Sequence, residues 1–425
     1  MPYPRMARIK QKFDSMPGIT DIGAKVHEEL KKPNIMSKIK AGQTVAITAG
    51  SRGIANMDRI IGAIVKELKD HGAKPFVIPA MGSHGNANAE GQREILLHYN
   101  ITEQTMGCPI LSSMETVQLG QTADSITVYL DKNAFSADHI VVVNRVKQHT
   151  DFSGKIESGL IKMMAIGLGK RDGASMYHKA SLKFGFEKVL RGVANVVLNT
   201  GKVAFGVGVV ENPYDQTAII SATSAEELIK TEEYLQEQAK RLAAKLPFDD
   251  IDVLIVDEIG KDISGLGLDT KVIGRMMQTG EKDPEFPRIT RILVLDLTPN
   301  SMGNAAGIGL ADFTTKRLVD KIKYEPTYMN FITSAGPQKV RIPINFDNDR
   351  KVLDAVFDTI GMVKPEDSKV VRIKNTLRLD EVDISESLIE PAKVRDDLEI
   401  IDTANEMIFD EKDNLKPIIL QDGHT

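Results

Sequence analysis

The chain is most constrained by three short apolar segments that each lead into a loop containing glycine. They are residues 44–48, 75–79 and 139–143. Apolar residues recur at helical spacing over 56–68, after the first loop, and a helix is predicted over about 87–98, after the second. Strands that alternate with helices favour a parallel sheet covered by helices on both faces. The pattern therefore predicts an α/β fold with parallel or mixed sheets and flanking helices.

A second series of strand segments predicts a second domain. With 425 residues, the chain exceeds the size at which a single core stops growing. The apolar segments 253–256 and 291–297 again lead into glycine-rich loops. We predict an N-terminal α/β domain over 1–248 and a C-terminal α/β domain over 249–396, with the active site in the interdomain cleft. The tail, from about 397 to 425, is expected to be able to pack back on the first domain.

The composition favours a cytoplasmic protein with a small-molecule partner. The net charge is −5 with both signs interspersed, which argues against a nucleic-acid partner. No run of about 18 apolar residues occurs, so we expect no membrane partner. The first residues lack the apolar region of a signal peptide. The single cysteine, Cys108, excludes an intrachain disulfide framework and a metal site built from several cysteines.

Residues 144–178, which follow the third apolar segment, are the part of the chain richest in candidate functional groups. They contain two histidines, four lysines and five glycines, with little helical or strand periodicity. Glycines allow the backbone to approach a ligand closely, and loops after buried strands commonly carry function. We therefore expect the chemistry of the protein to be located in this region.

Three polar side chains are predicted to meet at one edge of the sheet. Arg52, His84 and His149 each follow the end of a different predicted strand. Each alone is as well explained by an ordinary turn. Ligands of open α/β sheets gather beyond the carboxyl ends of the strands, however, so three such loops together predict a shared site.

The familiar nucleotide and zinc motifs are missing from the sequence. The loops 49–53 and 303–309 have the wrong glycine spacing for a dinucleotide-binding fingerprint, and no Walker motif occurs. His149 and His178 are too far apart in sequence for a zinc-protease pattern. These common classes of site are therefore excluded.

The loops around His84 and His149 resemble those of the nickel-pincer lactate racemases and their homologues, which racemise or epimerise 2-hydroxy acids. Gly82-Ser83-His84 resembles the loop that bears one catalytic histidine, and residues 147–149 with 152–154 resemble the loop that bears the other. The resemblance implies that His84 and His149 are the two catalytic acid/bases of an isomerase.

The resemblance extends to the residues that hold the family's cofactor. Residues 158–162 with Gly167 resemble the segment whose lysine binds the cofactor as a thioamide, which implies this role for Lys162. His178, sixteen residues later, is implied to ligate nickel. Lys155 is the competing lysine, and a non-covalently held cofactor is a third alternative.

Further residues are assigned to substrate and cofactor by the same resemblance. Arg52 resembles the arginine that binds the substrate, and Glu258 with Lys261 resembles a substrate-binding pair in the second domain. The residues expected to contact the cofactor beside Lys162 are Ser51, Ser153 and Gly154.

The implied cofactor is a nickel-pincer nucleotide, pyridinium-3-thioamide-5-thiocarboxylic acid mononucleotide, which cofactor-biosynthesis proteins would load. The residue chemistry agrees with that implication. Inversion of C2 by hydride transfer avoids a carbanion, provided that a base takes the hydroxyl proton and a transient 2-keto acid forms. Histidine, with an ordinary pKa of about 6.5, suits that base. Racemisation needs one base on each face, and two histidine loops would supply them.

One departure from the family pattern concerns the substrate. Ala49 and Gly50 stand where family members often carry an acidic residue and a histidine. Small residues there would open the pocket near Arg52. We therefore expect a hydroxy acid larger than lactate, such as an aldonate.

Two other classes of function remain open at this stage. A non-catalytic protein that binds the nickel cofactor or a hydroxy acid would need Lys162 and His178 but neither His84 nor His149. A metal-free phosphosugar or acyl-transfer enzyme would need a nucleophile elbow or an acid pair, and the sequence contains neither.

Overall fold

The computed structural model describes residues 2–51, 53–333 and 335–420. Within this part, the chain divides into two compact units. Asp14–Ala243 form the first unit. The N-terminal residues up to Phe13 and the segment from Ala244 onward form the second.

The secondary structure alternates strands and helices in the first unit and is richer in strands in the second. In chain order the strands are β1 (Met6–Gln11), β2 (Thr44–Ala49), β3 (Lys74–Pro79), β4 (Thr116–Gln121), β5 (Thr127–Asp131), β6 (His139–Arg145), β7 (Val203–Glu211), β8 (Thr217–Ser224), β9 (Asp250–Ile259), β10 (Arg288–Leu297), β11 (Phe313–Thr315), β12 (Ile344–Phe346), β13 (Val370–Ile373), β14 (Glu381–Ser385) and β15 (Leu398–Ile400). The α-helices are α1 (Ile22–Leu30), α2 (Met57–Asp70), α3 (Ala89–His98), α4 (Glu103–Met106), α5 (Lys132–Ser136), α6 (Leu160–Lys162), α7 (Lys170–Phe184), α8 (Phe186–Leu198), α9 (Leu228–Leu242), α10 (Lys316–Val319), α11 (Tyr324–Thr333), α12 (Asp349–Phe357) and α13 (Ile389–Lys393). Met163–Gly167 form a π-helix, and the 3-10 helices are Pro299–Ser301, Ile308–Leu310, Pro337–Val340, Pro365–Asp367 and Glu386–Leu388.

The first unit is built on a five-stranded sheet in the order β3-β2-β6-β7-β8. All neighbouring strands pair in parallel except β7 and β8, which form an antiparallel pair. Side chains alternate between the two faces of β2. Val45 and Ile47 pack into the core that includes Ile61 of α2, whereas Ala46 packs with Val193 of α8 on the other face. The predicted α/β class, with helices on both faces of a mainly parallel sheet, is therefore confirmed.

The parallel pairing places three loops at one edge of this sheet. β2 lies between β3 and β6 and runs parallel to both. The loops that leave the carboxyl ends of these strands therefore emerge on the same side. They contain Ser51, His84 and His149.

The second unit contains an eight-stranded mixed sheet in the order β12-β11-β10-β9-β13-β14-β1-β15. The strands from β12 to β13 are parallel, and the remaining pairs are antiparallel. Ile9 of β1 lies opposite Val382 of β14 and Ile400 of β15.

This arrangement differs from the predicted domain bounds at both ends of the chain. β1 belongs to the second unit, although we predicted a first domain that starts at residue 1. The tail strand β15 pairs with β1 in the same sheet and belongs to the second unit. The cause is the pairing of strands almost 400 residues apart in sequence, which local patterns cannot reveal.

Among the described helices, none has the length and apolar character that crossing a bilayer requires.

A substitution in the central strand of the first unit tests this packing. Ile47 has no exposed surface, so Ile47→Ala should lower the free energy of unfolding by about 2–5 kcal/mol, because it leaves a cavity in the core. Urea denaturation followed by circular dichroism measures the change. Leu97→Ala is the control, because Leu97 is 62% exposed. An equal effect of the two substitutions would contradict the described core.

Candidate active site

His149, Lys162 and His178 line one small pocket of the first unit. They come from the loop after β6, from α6 and from α7, respectively. The other residues of the wall are mainly apolar: Phe152, Ile166, Tyr177, Phe186, Val189 and Leu190. Three polar groups that face an apolar wall are typical of a small-molecule site.

Lys162 ends a single α-helical turn and is followed directly by the π-helix Met163–Gly167. Gly167 allows this turn to pack closely, because a Cβ there would lie 2.8 Å from the carbonyl oxygen of Ala80. π-Helices are rare and often occur at functional sites. The irregular backbone explains why the sequence shows no helical period here.

His178 projects from α7 with a deeply buried imidazole. Its Nδ1 is buried and has no hydrogen-bond partner among the described residues. Burial lowers the pKa of His178, the nearby Lys162 ammonium lowers it further, and Asp151 acts in the opposite direction. The imidazole is therefore neutral at pH 7 and keeps one nitrogen lone pair, which is the form that binds metals.

His149 is held by its backbone and by aromatic neighbours. The backbone N–H of His149 donates to Oε2 of Glu157 at 2.7 Å, and ring Nδ1 accepts the N–H of Asp151 at 3.0 Å. The His149 ring lies 4.6 Å from the Phe152 ring, and Phe152 stacks on Phe186 at 4.9 Å between ring centroids. The imidazole thus has one defined orientation beside the pocket.

Phe186 lies close to the rings of both His149 and His178. Its ring lies 6.4 Å from the ring of His149 and 5.8 Å from that of His178, which it meets edge-on. The sequence analysis missed Phe186, because a phenylalanine at the start of an amphipathic helix is indistinguishable from an ordinary core residue.

Glu157 supports the loop of His149 through hydrogen bonds with its backbone. The side chain is fully buried and accepts the backbone N–H of His149 and, at 3.1 Å, that of Gly154. Nζ of Lys240 lies 2.8 Å from the same carboxylate and also donates to the carbonyl oxygen of Gly154. A buried carboxylate with a lysine partner therefore fixes a loop that contains glycine.

Removal of this carboxylate should loosen the loop. Glu157→Ala leaves the N–H groups of His149 and Gly154 without their acceptor and removes the ion-pair partner of Lys240, so hydrogen exchange of residues 147–158 should accelerate by roughly tenfold or more. Exchange followed by mass spectrometry measures it. Glu237→Ala, a substitution of an exposed residue on α9, should leave the exchange unchanged. Unaltered exchange in Glu157→Ala would show that the carboxylate does not brace the loop.

The loops after β2 and β3 meet through Ser51 and His84. The Ser51 hydroxyl is hydrogen-bonded to Nδ1 of the exposed His84. Buried Gln92 donates to the carbonyl oxygens of Gly82, at 2.9 Å, and of His84, at 3.2 Å. Ser51, which we predicted to contact the cofactor, thus orients a predicted catalytic histidine. Arg52 lies outside the described residues.

The His84 loop also packs on the π-helix. The N–H of Gly82 donates to the carbonyl oxygen of Gly167 at 3.2 Å, and a Cβ on Gly82 would lie 3.1 Å from Cγ2 of Ile166. Ile166 in turn lines the pocket of Lys162. Two of the three predicted loops, those of His84 and His149, are therefore connected through the segment that carries the predicted cofactor lysine.

Ser153, Gly154 and Lys155 line a different groove. Its other residues are Glu187, Glu233, Gln236, Glu237 and Lys240. The backbone N–H of Lys155 donates to Oε2 of Glu187 at 3.1 Å. Of the two candidate lysines, it is Lys162 that lines the pocket with His149 and His178.

Glu258 and Lys261 belong to the second unit. Glu258, the last residue but one of β9, forms an ion pair with Lys374 at 3.3 Å and accepts a hydrogen bond from Asn375 at 3.2 Å. Nζ of Lys261 donates to the carbonyl oxygen of Gly265 at 2.7 Å. Their role in substrate binding stays a prediction.

No cluster of three or more histidine, cysteine or carboxylate side chains suited to a metal occurs in the described part of the chain.

A second buried carboxyl, that of Glu232, contacts the backbone next to Lys162. Oε2 of Glu232, on α9, accepts the backbone N–H of Ile161 at 2.7 Å. Burial raises the pKa of Glu232 to about 8, although hydrogen bonds from Ile161 and Leu160 and the charge of Arg191 oppose the shift. At pH 7 this carboxyl is therefore mostly protonated.

The raised pKa makes stability depend on pH. The ordinary pKa of this carboxyl is 4.5, so between pH 4.5 and about 8 the unfolded chain releases the Glu232 proton while the native protein keeps it. Because the native state binds more protons in this window, the stability that Glu232 contributes is full below the window and falls as the pH rises through it. Relative to Glu232→Gln, the wild-type protein should lose unfolding free energy from pH 5 to 8. Urea denaturation across this range measures the difference, and a constant difference would contradict the raised pKa.

Comparison with known proteins identifies the relatives of this chain. The family model described as lactate racemase N-terminal domain matches residues 9–185, a segment that contains His84, His149, Lys162 and His178. This segment of the chain is similar to the N-terminal domain of lactate racemases. Comparison with curated proteins found no match.

The fold agrees with this result. The chain is similar to the lactate racemase apoprotein from Thermoanaerobacterium thermosaccharolyticum, with a TM-score of 0.51 and 12% sequence identity, over 87% of this chain and 99% of that chain. At this identity the likeness shows a shared fold. The structural likeness thus concerns the fold, and the family match concerns residues 9–185.

Proposed function

We propose that the chain is a racemase or epimerase that inverts C2 of a 2-hydroxy acid with the aid of a nickel-pincer nucleotide. The observation that carries the proposal is the shared pocket of His149, Lys162 and His178. These residues come from three separate segments, and each has the chemistry that the proposed reaction requires.

The residues of the pocket fit the proposed cofactor. Lys162 would hold it through its amine. His178 would supply a nickel ligand, because its imidazole is neutral and has a buried nitrogen with no hydrogen-bond partner among the described residues. Imidazole is a ligand that suits nickel. When bound, the group supplies a hydride acceptor for C2 of the substrate.

The protein itself would move the proton of the substrate hydroxyl. His149 would exchange it on one face of C2 and His84 on the other, and Ser51 would orient the His84 ring through Nδ1. The apolar wall formed by Phe152 and Phe186 would exclude water from the reacting carbon. We assign recognition of the substrate carboxylate to Arg52, whose guanidinium offers a planar pair of donors.

For the substrate, we propose a hydroxy acid larger than lactate, such as an aldonate. The support is the sequence departure at Ala49 and Gly50. At Gly50, however, a Cβ would lie 3.3 Å from Cε of Met163, so this methionine fills part of the room that the small residue leaves. Racemisation assays with lactate, malate and gluconate decide the matter, and turnover of lactate alone would contradict the proposal.

The proposed cofactor assignment is tested by mass spectrometry of protein produced with the cofactor-biosynthesis proteins and nickel. The wild-type protein should carry a nucleotide-sized adduct on Lys162 that survives denaturation. Lys162→Ala should lose the covalent adduct, and His178→Ala should lose nickel but keep the adduct. Lys155→Ala is the matched control and should retain both. An adduct on Lys155, or none at all, would contradict the assignment.

The same preparations separate an enzyme from a binding protein. If the chain is a racemase, His84→Ala and His149→Ala should keep the adduct but lose at least about 100-fold in rate, because each removes a positioned acid/base. Polarimetry or chiral chromatography measures the loss. A non-catalytic binding protein would show no turnover in any variant, including the wild-type chain.

A further inference from the structure

The segment that carries Lys162 depends on groups from other elements for its backbone hydrogen bonds. α6 has only three residues, so the N–H groups at its start have no acceptor within the helix. The side chain of Glu232 supplies one of the missing acceptors, because its Oε2 accepts the N–H of Ile161 at 2.7 Å. Ile161 directly precedes Lys162. The carboxyl is therefore one residue away from the proposed cofactor attachment point.

Gly159, which directly precedes α6, is also held by contacts with other elements. Nδ2 of Asn144, near the end of β6, donates to the carbonyl oxygen of Gly159 at 2.8 Å. A Cβ on Gly159 would lie only 2.6 Å from Oε1 of Glu232. The backbone thus approaches the carboxyl so closely that only glycine fits at this position.

Gln236 follows Glu232 by one turn of α9 and shares its burial. Both side chains have at most 1% of their surface exposed. Oε1 of Glu232 and both amide atoms of Gln236 are buried without a hydrogen-bond partner in the described part of the chain. Residues four apart lie on the same face of a helix. The two side chains are buried on one face of α9 but make no hydrogen bond with each other, and it is Glu232 that contacts the Lys162 turn.

We propose that Glu232 is a positioning residue that holds the Lys162 turn and thereby directs the Lys162 amine into the pocket. The role of Lys162 in this inference rests on the proposed function. Glu232 acts through the backbone of Ile161, and it requires no contact with substrate or cofactor. Burial of a carboxyl side chain is costly, and the hydrogen bond from the Ile161 N–H offsets part of this cost.

The first test measures the reactivity of the Lys162 amine in the full-length protein without cofactor. Trace acetylation with acetic anhydride, followed by peptide mass spectrometry, gives the labelling rate of Lys162, with Lys155 as the internal standard. Glu232→Ala should raise the Lys162 rate by about tenfold, the effect of losing one buried hydrogen bond that restrains the turn. Glu232→Gln keeps an acceptor for the Ile161 N–H and should stay within about twofold of wild type.

Two matched variants complete the set. Gln236→Leu, at a buried neighbour of Glu232, should leave the Lys162 rate within about twofold of wild type, because neither amide atom of Gln236 has a hydrogen-bond partner in the described part of the chain. Glu237→Ala, on the exposed side of α9, should leave it unchanged. Thermal unfolding confirms that each variant is folded. A Lys162 rate that is unaffected in folded Glu232→Ala, or equal changes at Lys162 and Lys155, would overturn the proposal.

The second test uses protein produced with the cofactor-biosynthesis proteins and nickel. The fraction that carries an adduct on Lys162 should fall severalfold in Glu232→Ala and be retained in Glu232→Gln. Absence of an adduct in the wild-type protein would remove the proposed function but would leave the labelling result valid. A wild-type adduct fraction in Glu232→Ala would overturn the positioning role and leave the proposed function intact.

Discussion

The candidate site depends on the parallel pairing of β2 with both β3 and β6. Thr44–Ala49 lie in register with Lys74–Pro79, and Val45 lies opposite His139. This hydrogen-bond ladder brings the carboxyl ends of three strands to one edge. The Ser51–His84 contact and the packing of the His84 loop on the π-helix both occur at this edge.

Two buried carboxyls hold the backbone of the two segments that follow β6, the His149 loop and the Lys162 turn. Glu157 is paired with Lys240 and accepts two N–H groups of the His149 loop. Glu232 has no ion-pair partner at hydrogen-bond distance among the described residues, and its pKa is raised to about 8 by burial. The His149 loop is thus held by a carboxyl that is paired with a lysine, and the Lys162 turn by a carboxyl that has no such pair in the described part of the chain. The two segments therefore depend on different kinds of contact.

Local sequence patterns predicted the parts of the structure that local physics determines. The strands β2, β3 and β6 and the shared position of their loops followed from the alternation of apolar segments and glycine loops. Glu157, Glu232 and Phe186 could not be found in this way, because their roles arise from contacts between segments far apart in sequence. The turn at Lys162 was also hidden, since a three-residue helix followed by a π-helix has no regular period. Their burial and partners become visible only once the chain is folded.

The placement of β1 has a consequence for the synthesis of the protein. Ile9 pairs with Val382 and Ile400, so β1 is made first but its partner strands are made last. At translation rates of about 5–20 residues per second, the N-terminal strand waits roughly 20 to 80 seconds for them. Asp14–Ala243, the unit that contains the pocket, emerges in full during that interval. The first unit therefore emerges from the ribosome, still tethered to it, while β1 lacks its partner strands, and such an unpaired strand edge is a typical target of chaperones.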